Sequence, residues 1–275
     1  YRYERSGVLH GLLRVRGFTQ DDAHIICSED QVESEILTAL EFSLQMLKAF
    51  GFKEFKLFLS TKPEEKFVGN NKQWELAEKS LEKAIKKTNI DFEIDAGGGA
   101  FYGPKIDIKI KDAIGRQWQC STIQFDFNLP ERFNMTFINS KGEKEQPFMI
   151  HRALLGSIER FIGILIEEYA GWLPLWISPV QCHILTINDN VKDYAKSLNK
   201  ELINYGFRTI LNTSNDKLNY KIRDAIKQKT PYLLIIGDKE KENKQVTLRH
   251  KNTQLGSLSI NDLIKKLSEE NEILN

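Results

Sequence analysis

The order of apolar segments predicts two consecutive folds: an α+β domain with an antiparallel sheet and flanking helices, then a small α/β domain with a mainly parallel sheet. Three observations lead there. Strand-like runs follow one another without intervening helices between Phe92 and Asp126, strands and helices alternate from His183 onward, and proline and glycine interrupt the periodicity over Trp172–Pro179. At roughly 100–200 residues per domain, a chain of 275 residues has room for two, each able to bury its own core. The expected domains are therefore 1–175 and 176–275.

Residues 12–27 read as two extended runs around Gly17. The second run sets Phe18, Gln20, Asp22 and His24 on one face and Thr19, Asp21, Ala23 and Ile25 on the other. An amide, a carboxylate and an imidazole on one strand face do not belong in an ordinary core, because each is costly to bury without a partner. Ser28 and Gln31 have the spacing of a capping box, and Ile36, Leu37, Leu40, Leu44 and Leu47 follow at helical spacing as far as Gly51. Phe55, Leu57 and Leu59 alternate as a strand that Pro63 closes, and Trp74, Ala77, Leu81, Ala84 and Ile85 mark a helix over Asn71–Lys87. FEID, KIDIKIKD and RQWQCSTIQFDF are successive strands, with a break at Gly97–Gly99. His151–Tyr169 reads as a helix with an apolar stripe of Leu154, Leu155, Ile158, Phe161, Ile162 and Leu165. Beyond the break, HILTI, RTILN, YLLIIG and QVTLRH read as strands, and Asp193–Tyr205, Lys217–Lys229 and Ile260–Glu269 as helices.

Composition excludes several classes. With 39 basic and 38 acidic residues the net charge is +1, which rules out a globally basic nucleic-acid binder but leaves room for local patches. Cys27, Cys120 and Cys182 are too few and too far apart for a disulfide framework, so a reducing, cytoplasmic setting is expected. No apolar stretch reaches the roughly 18 residues of a membrane span, and YRYERSG lacks the pattern of a signal peptide. The first residue is tyrosine and a turn arrives at Gly7 before any element is complete, which suggests that the chain begins inside a structural element.

Four clusters call for a chemical account. Arg2, Glu4, Arg14 and Arg16 flank a short loop and suit a phosphate clamp, the alternative being a solvated hairpin edge. His24 and His151 are a weak metal pair without an obvious third ligand; Cys27 points to the opposite strand face, and Cys120 qualifies only if the fold brings it close. Tyr102 in GAFYGPKID, with Gln119 and Gln124, suggests a loop that approaches a ligand, although glycines also serve ordinary bulges. Gly156, Ser157 and Arg160 share a helical face, where the arginine either meets an anion or snorkels to solvent.

Taken in order, HGLLRVRGFTQDDAHIIC, GAFYGPKID, QCSTIQFDFNLPERF and MIHRALLGSIERFIGILIEEYAG closely resemble the threonyl-tRNA synthetase family of class IIa aminoacyl-tRNA synthetases. RVRGFTQDDAHIIC carries most of the specificity; prolyl- and seryl-tRNA synthetases share the arginines but lack the TQDDAH run. The resemblance implies a class II catalytic domain followed by an anticodon-binding domain. It implies that Arg2 meets the ATP α-phosphate, Glu4 the adenine amine and Arg14 the terminal phosphates, that Phe18 stacks on adenine, and that Arg160 holds the γ-phosphate, with Arg2 and Arg160 as the catalytic pair. Gln119, Thr122 and Ser157 would line the ATP site with Lys105 nearby, and Mg²⁺ would accompany the triphosphate.

The same resemblance implies that His24 and His151 are two of three ligands of one catalytic Zn²⁺, the third being a cysteine expected upstream of this chain. Gln20, Asp22, Tyr102 and Gln124 would form the threonine pocket, with Asp22 facing the substrate ammonium. A zinc that binds the hydroxyl of threonine would reject valine strongly and serine poorly. Asn215, Glu240 and Arg249 match positions that read anticodon bases. The implied activity is ATP-dependent activation of threonine and its transfer to the 3′ end of tRNA(Thr), by a protein expected to be a homodimer at full length. On this reading the chain is a fragment without motif 1, the zinc cysteine and a neighbouring strand, expected to expose a sheet edge, bind zinc weakly and have little activity alone. The competing readings are a non-catalytic relative that binds RNA, and an unrelated zinc hydrolase, against which the absence of HExxH speaks.

Overall fold

Alternating apolar and polar residues build a six-stranded sheet whose two faces have opposite chemistry. The computed structural model describes residues 1–272, which divide into a first unit, Tyr1–Glu168, and a second that begins at Tyr169. In the first, the strands are β1 (Ala23–Cys27), β2 (Phe55–Ser60), β3 (Phe92–Asp95), β4 (Lys105–Lys111), β5 (Gln117–Asp126) and, after the short helix α3 (Asn128–Arg132) and the small hairpin β6 (Phe137–Ile138) and β7 (Lys144–Glu145), β8 (Phe148–Ala153). Their order is β1-β8-β5-β4-β2-β3, antiparallel except for the β2–β3 pair.

Two helices, α1 (Val32–Ala49) and α2 (Asn71–Lys87), pack on each other and on this sheet. Ile36, Leu40 and Leu47 of α1 and Trp74, Leu81 and Ile85 of α2 are buried, as are the sheet residues Leu57, Ile106, Ile108 and Ile123. Ser28 and Gln31 do form the capping box, although a single 3₁₀ turn, Glu29–Gln31, precedes α1. Asn70 accepts the amide of Gln73 and starts α2 with a second capping box.

The expected helix over His151–Tyr169 is corrected. Residues Phe148–Ala153 form β8, inserted between β1 and β5, and the helix, α4 (Ile158–Glu168), begins only after Gly156 turns the chain at φ +70°. A Cβ on Gly156 would lie 2.6 Å from the carbonyl oxygen of Cys120, so the turn needs glycine for space as well as for conformation.

The second unit is a five-stranded sheet in the order β10-β9-β11-β12-β13, from β9 (Cys182–Thr186), β10 (Thr209–Asn212), β11 (Tyr232–Ile236), β12 (Gln245–His250) and β13 (Thr253–Ser259). The helices α5 (Lys192–Asn204), α6 (Leu218–Lys227), α7 (Asp238–Asn243) and α8 (Ile260–Asn271) accompany it. The expectation of a mainly parallel sheet holds for β10, β9 and β11 only; β12 and β13 are antiparallel, because Gln245 to Ser259 folds back as a hairpin that the sequence reading did not resolve. The stretch Trp172–Pro179 lies in this unit, and Leu175 is buried in its core with Cys182, Ile184 and Leu234. Among the described residues, no helix is long and apolar enough to cross a membrane.

Candidate active site

Register, more than proximity in sequence, assembles the site. His24 of β1 pairs with His151 of β8, His151 with Gln124 of β5, and Gln124 with Lys105 of β4, so one row of four residues crosses the face of the sheet. Cross-strand partners share a face. The two imidazoles meet edge to face with ring centroids 4.4 Å apart. Asp22 joins them, the ligand atoms of Asp22, His24 and His151 all lying within 4.8 Å of one another. Two imidazoles and a carboxylate are a donor set that suits zinc. Asp126, 1% exposed, sits 2.7 Å from His151 Nε2, the kind of carboxylate contact that fixes the ring of a ligand histidine. Cys120 stays outside this group: it is buried, and burial pushes its thiol up to about 12, so it is a poor thiolate donor.

A cleft of about 400 Å³ opens beside the row. Of the residues singled out from sequence, Arg2, Phe18, Gln20, Asp22, Tyr102, Gln119, Thr122, Gln124, His151, Ser157 and Arg160 line it. Tyr102 donates to Gln124 Oε1 at 2.9 Å, and burial with Asp126 and Asp22 nearby raises the phenol above its ordinary pKa. The Arg2 guanidinium lies 4.7 Å from the centre of the Phe18 ring. Glu4, Arg14, His24 and Lys105 are not in the lining. Glu4 is 9% exposed and accepts from Arg14 at 3.1 Å, while Lys105 is paired with Asp107 at 2.6 Å. Arg16 donates to the backbone of Glu4 at 3.0 Å, so this arginine buttresses the loop rather than the cleft.

Three carboxylates that sequence reasoning gave no role hold the site together. Asp21 accepts the backbone amides of Leu154, Leu155 and Gly156 at 2.9, 3.0 and 3.1 Å, tying the strand entry to the turn before α4. Asp107, 4% exposed, accepts from Gln119 at 2.6 Å and Thr122 at 2.8 Å, and so orients both toward the cleft. Asp126 is the third. Asp107 also pairs with Lys105 and Asp126 also accepts the nearby Asn128 and Leu129 amides, but the contacts through which the three shape the site run across strands or to a turn remote in sequence. Glu159 accepts the amide of Thr19 at 2.9 Å; its own backbone and that of Thr19 hold its carboxyl below the usual range.

In the second unit, Asn215 is exposed in the turn after β10. Glu240 accepts from the Gly237 amide at 2.9 Å and from the Thr247 hydroxyl at 2.7 Å, while Arg249 donates to the carbonyls of Lys251 and Asn252 at 3.2 and 3.1 Å.

Comparison with known proteins agrees with this two-part construction. Residues 1–169 match the tRNA synthetase class II core domain (G, H, P, S and T), and residues 181–270 match the anticodon binding domain. The fold is thus that of the class II aminoacyl-tRNA synthetases. Threonine–tRNA ligases of a Sulfurihydrogenibium species and of Aquifex aeolicus are 60% and 55% identical to it, each over 98% of this chain and 42% of the relative. The crystal structure of the RNA binding domain of threonyl-tRNA synthetase from Cryptosporidium parvum superposes with a TM-score of 0.89 at 44% identity, covering 97% of this chain and 67% of that one. The chain belongs to the threonine–tRNA ligase family, and it spans 42% of the length of these curated relatives.

Proposed function

We propose that this chain serves a threonine–tRNA ligase, with the cleft activating threonine on ATP and the second unit contacting tRNA(Thr). The observation that carries the reading is the convergence on one cleft of two arginines, Arg2 and Arg160, with His151, Gln124 and the carboxylate of Asp22, and with His24 beside His151 at its edge. An arginine at each side is what a bent triphosphate needs. The carboxylate of threonine attacks the α-phosphorus, forming threonyl-adenylate and releasing pyrophosphate; the tRNA 3′-terminal hydroxyl then takes the acyl group and AMP leaves. Arg2 neutralises charge at the α-phosphate and Phe18 stacks on adenine, with Glu4 at the adenine amine. Arg14 and Arg160 take the terminal phosphates, Mg²⁺ accompanies them, and Lys105, Gln119, Thr122 and Ser157 complete the nucleotide side. Catalysis is positioning and charge stabilisation, and no side chain is assigned as an obligatory base.

His24 and His151 would hold a zinc ion, which when bound supplies a Lewis-acidic position for the amine and hydroxyl of threonine. Asp22 faces the ammonium, and Gln20, Tyr102 and Gln124 bound the amino-acid pocket. In the second unit, Asn215, Glu240 and Arg249 are the anticodon readers. The domain boundary, expected near residue 175, is proposed a few residues earlier, where the second unit begins at Tyr169, and the working setting is a cytoplasmic homodimer.

Threonine-dependent ATP–pyrophosphate exchange by the full-length parent protein tests the reading. It should be driven by threonine and suppressed by a chelator; better exchange with proline or serine would overturn it. Metal analysis of His151→Ala should show lost zinc, and unchanged stoichiometry would contradict the ligand role.

A further inference from the structure

Arg160 is a cation among cations. Burial first, and then the neighbouring Arg2, lower its pKa below the ordinary arginine value. Its guanidinium is nevertheless held in place without a carboxylate: Nε donates to the Leu13 carbonyl at 2.9 Å, and the group lies 5.4 Å from the centroid of the Trp118 ring. Trp118 adjoins Gln119 in β5 but lies outside the cleft lining. The indole is itself fixed, its Nε1 donating to Asp112 Oδ2 at 2.8 Å.

Asp112, 5% exposed, is a hub. It also accepts the amides of Ile114 at 3.1 Å and Arg116 at 2.8 Å, and Nε of Arg116 at 2.5 Å. Burial works against its charge, but the bonds from Trp118 and Arg116 outweigh it and keep the carboxyl below the usual range. Arg116 lies 5.5 Å from the same indole and pairs with Glu167 at 2.6 Å. A closed circuit therefore runs from the end of α4 at Glu167, through Arg116, Asp112 and Trp118, back to Arg160 in the first turn of α4.

We propose that Trp118 is a positioning residue for Arg160, holding the guanidinium against an uncharged aromatic face so that its full charge remains available to the terminal phosphates of ATP. This rests on the reading of Arg160 as a phosphate-binding group. The physical reason is competition. A carboxylate that anchored Arg160 would have to be displaced by each incoming triphosphate, and a charge left behind without its partner is costly. A ring face attracts the cation through its quadrupole, orients the plane of the guanidinium and demands no exchange of partners. Asp112 orients the ring from the far side, so its charge serves Arg160 at one remove.

The test, made in the full-length parent protein, combines ATP kinetics in threonine-dependent exchange with calorimetric ATP binding. Trp118→Leu should raise the KM for ATP on the order of 10-fold, the size of one cation–π contact, while the KM for threonine stays near the parent value. Trp118→Phe, which keeps a face but loses the N–H, should recover much of the loss. Trp118→Leu should add little in an Arg160→Ala background. Replacing tryptophan with progressively fluorinated analogues weakens the ring face with little change of shape, and should weaken ATP binding in steps that vanish in Trp118→Phe, which controls for Trp74, Trp172 and Trp176. Additive effects of Trp118→Leu and Arg160→Ala, or ATP binding indifferent to fluorination, would overturn the proposal. If Arg160→Ala itself leaves ATP binding and exchange unchanged, the phosphate-binding reading fails instead.

Discussion

Gly156 shows how a single residue decides whether the site can exist. It turns the chain at φ +70° with the Cys120 carbonyl where a Cβ would go, and its amide is one of three that Asp21 accepts. Gly156→Ala should therefore destabilise the first unit by about 1–3 kcal/mol, read as a lower urea midpoint; a midpoint within error of the parent would show that the turn relaxes freely. Asp126→Asn keeps an oxygen to receive the Asn128 amide but removes the charge beside His151. It should weaken zinc binding by about 10- to 100-fold, measured by competition with a chromogenic chelator, with little change in thermal stability. Equal zinc affinity in parent and variant would remove Asp126 from the metal's support. His24, Asp22 and Gln20 could be singled out from sequence because their alternate spacing reads as one polar strand face, although β1 itself begins only at Ala23. Asp21, Asp107 and Asp126 could not, because the partners through which they shape the site lie on other strands or at a remote turn, and no local pattern encodes a register.

At the scale of elements, caps were readable and boundaries were not. Ser28 and Gln31 are close in sequence, and their reciprocal bonds are local, so the start of the first helix could be inferred. The last three residues of the strand Phe148–Ala153 fall within the helix expected over His151–Tyr169, because Leu154, Leu155 and Ile158 extend the apolar spacing back across Gly156 and periodicity alone does not mark where a strand ends and a helix begins. The same limit concealed the hairpin Gln245–Ser259, whose turn at Lys251 adopts φ +51° without a glycine to announce it. The cap of α2 gives a clean test. Asn70 accepts the Gln73 amide at 3.0 Å, and Gln73 returns a bond to the Asn70 amide at 2.9 Å. Asn70→Ala should cost about 1 kcal/mol of stability, visible in urea denaturation, and Asn70→Ser should restore most of it. A loss as large with serine as with alanine would mean that Asn70 acts through something other than its cap.

Across the whole molecule, the two units should respond differently to acid. The second unit holds one buried imidazole, His183, and one half-buried, His250, and in both burial outweighs the nearest carboxylate. His183 is 4% exposed and bonded to the Thr230 hydroxyl at 2.8 Å; burial lowers its pKa, and Asp224 only partly offsets that. His250 packs edge-on against Tyr232 with centroids 4.7 Å apart and leaves Nδ1 buried without a partner; burial and then Lys251 lower its pKa too. The unfolded chain titrates these groups near the ordinary value of 6.5, and the folded unit at lower pH. Above that value both states are neutral and the stabilising contribution is complete. As pH falls from 6.5 toward the folded pKa values, the unfolded state takes up protons that the folded state refuses, and stability drops. For His183 the slope is at most about 1.4 kcal/mol per pH unit; partial exposure of the ring dilutes the effect at His250. Hydrogen exchange of β9 and β11 peptides in urea should show a midpoint that declines between about pH 7 and pH 5, with a shallower decline in His183→Gln. Strands β4 and β5 of the first unit serve as the internal reference, since neither carries a histidine. If β9 and β11 keep a constant midpoint over that interval, or if His183→Gln leaves the slope unchanged, the buried imidazoles are not what sets the acid limit of the second unit.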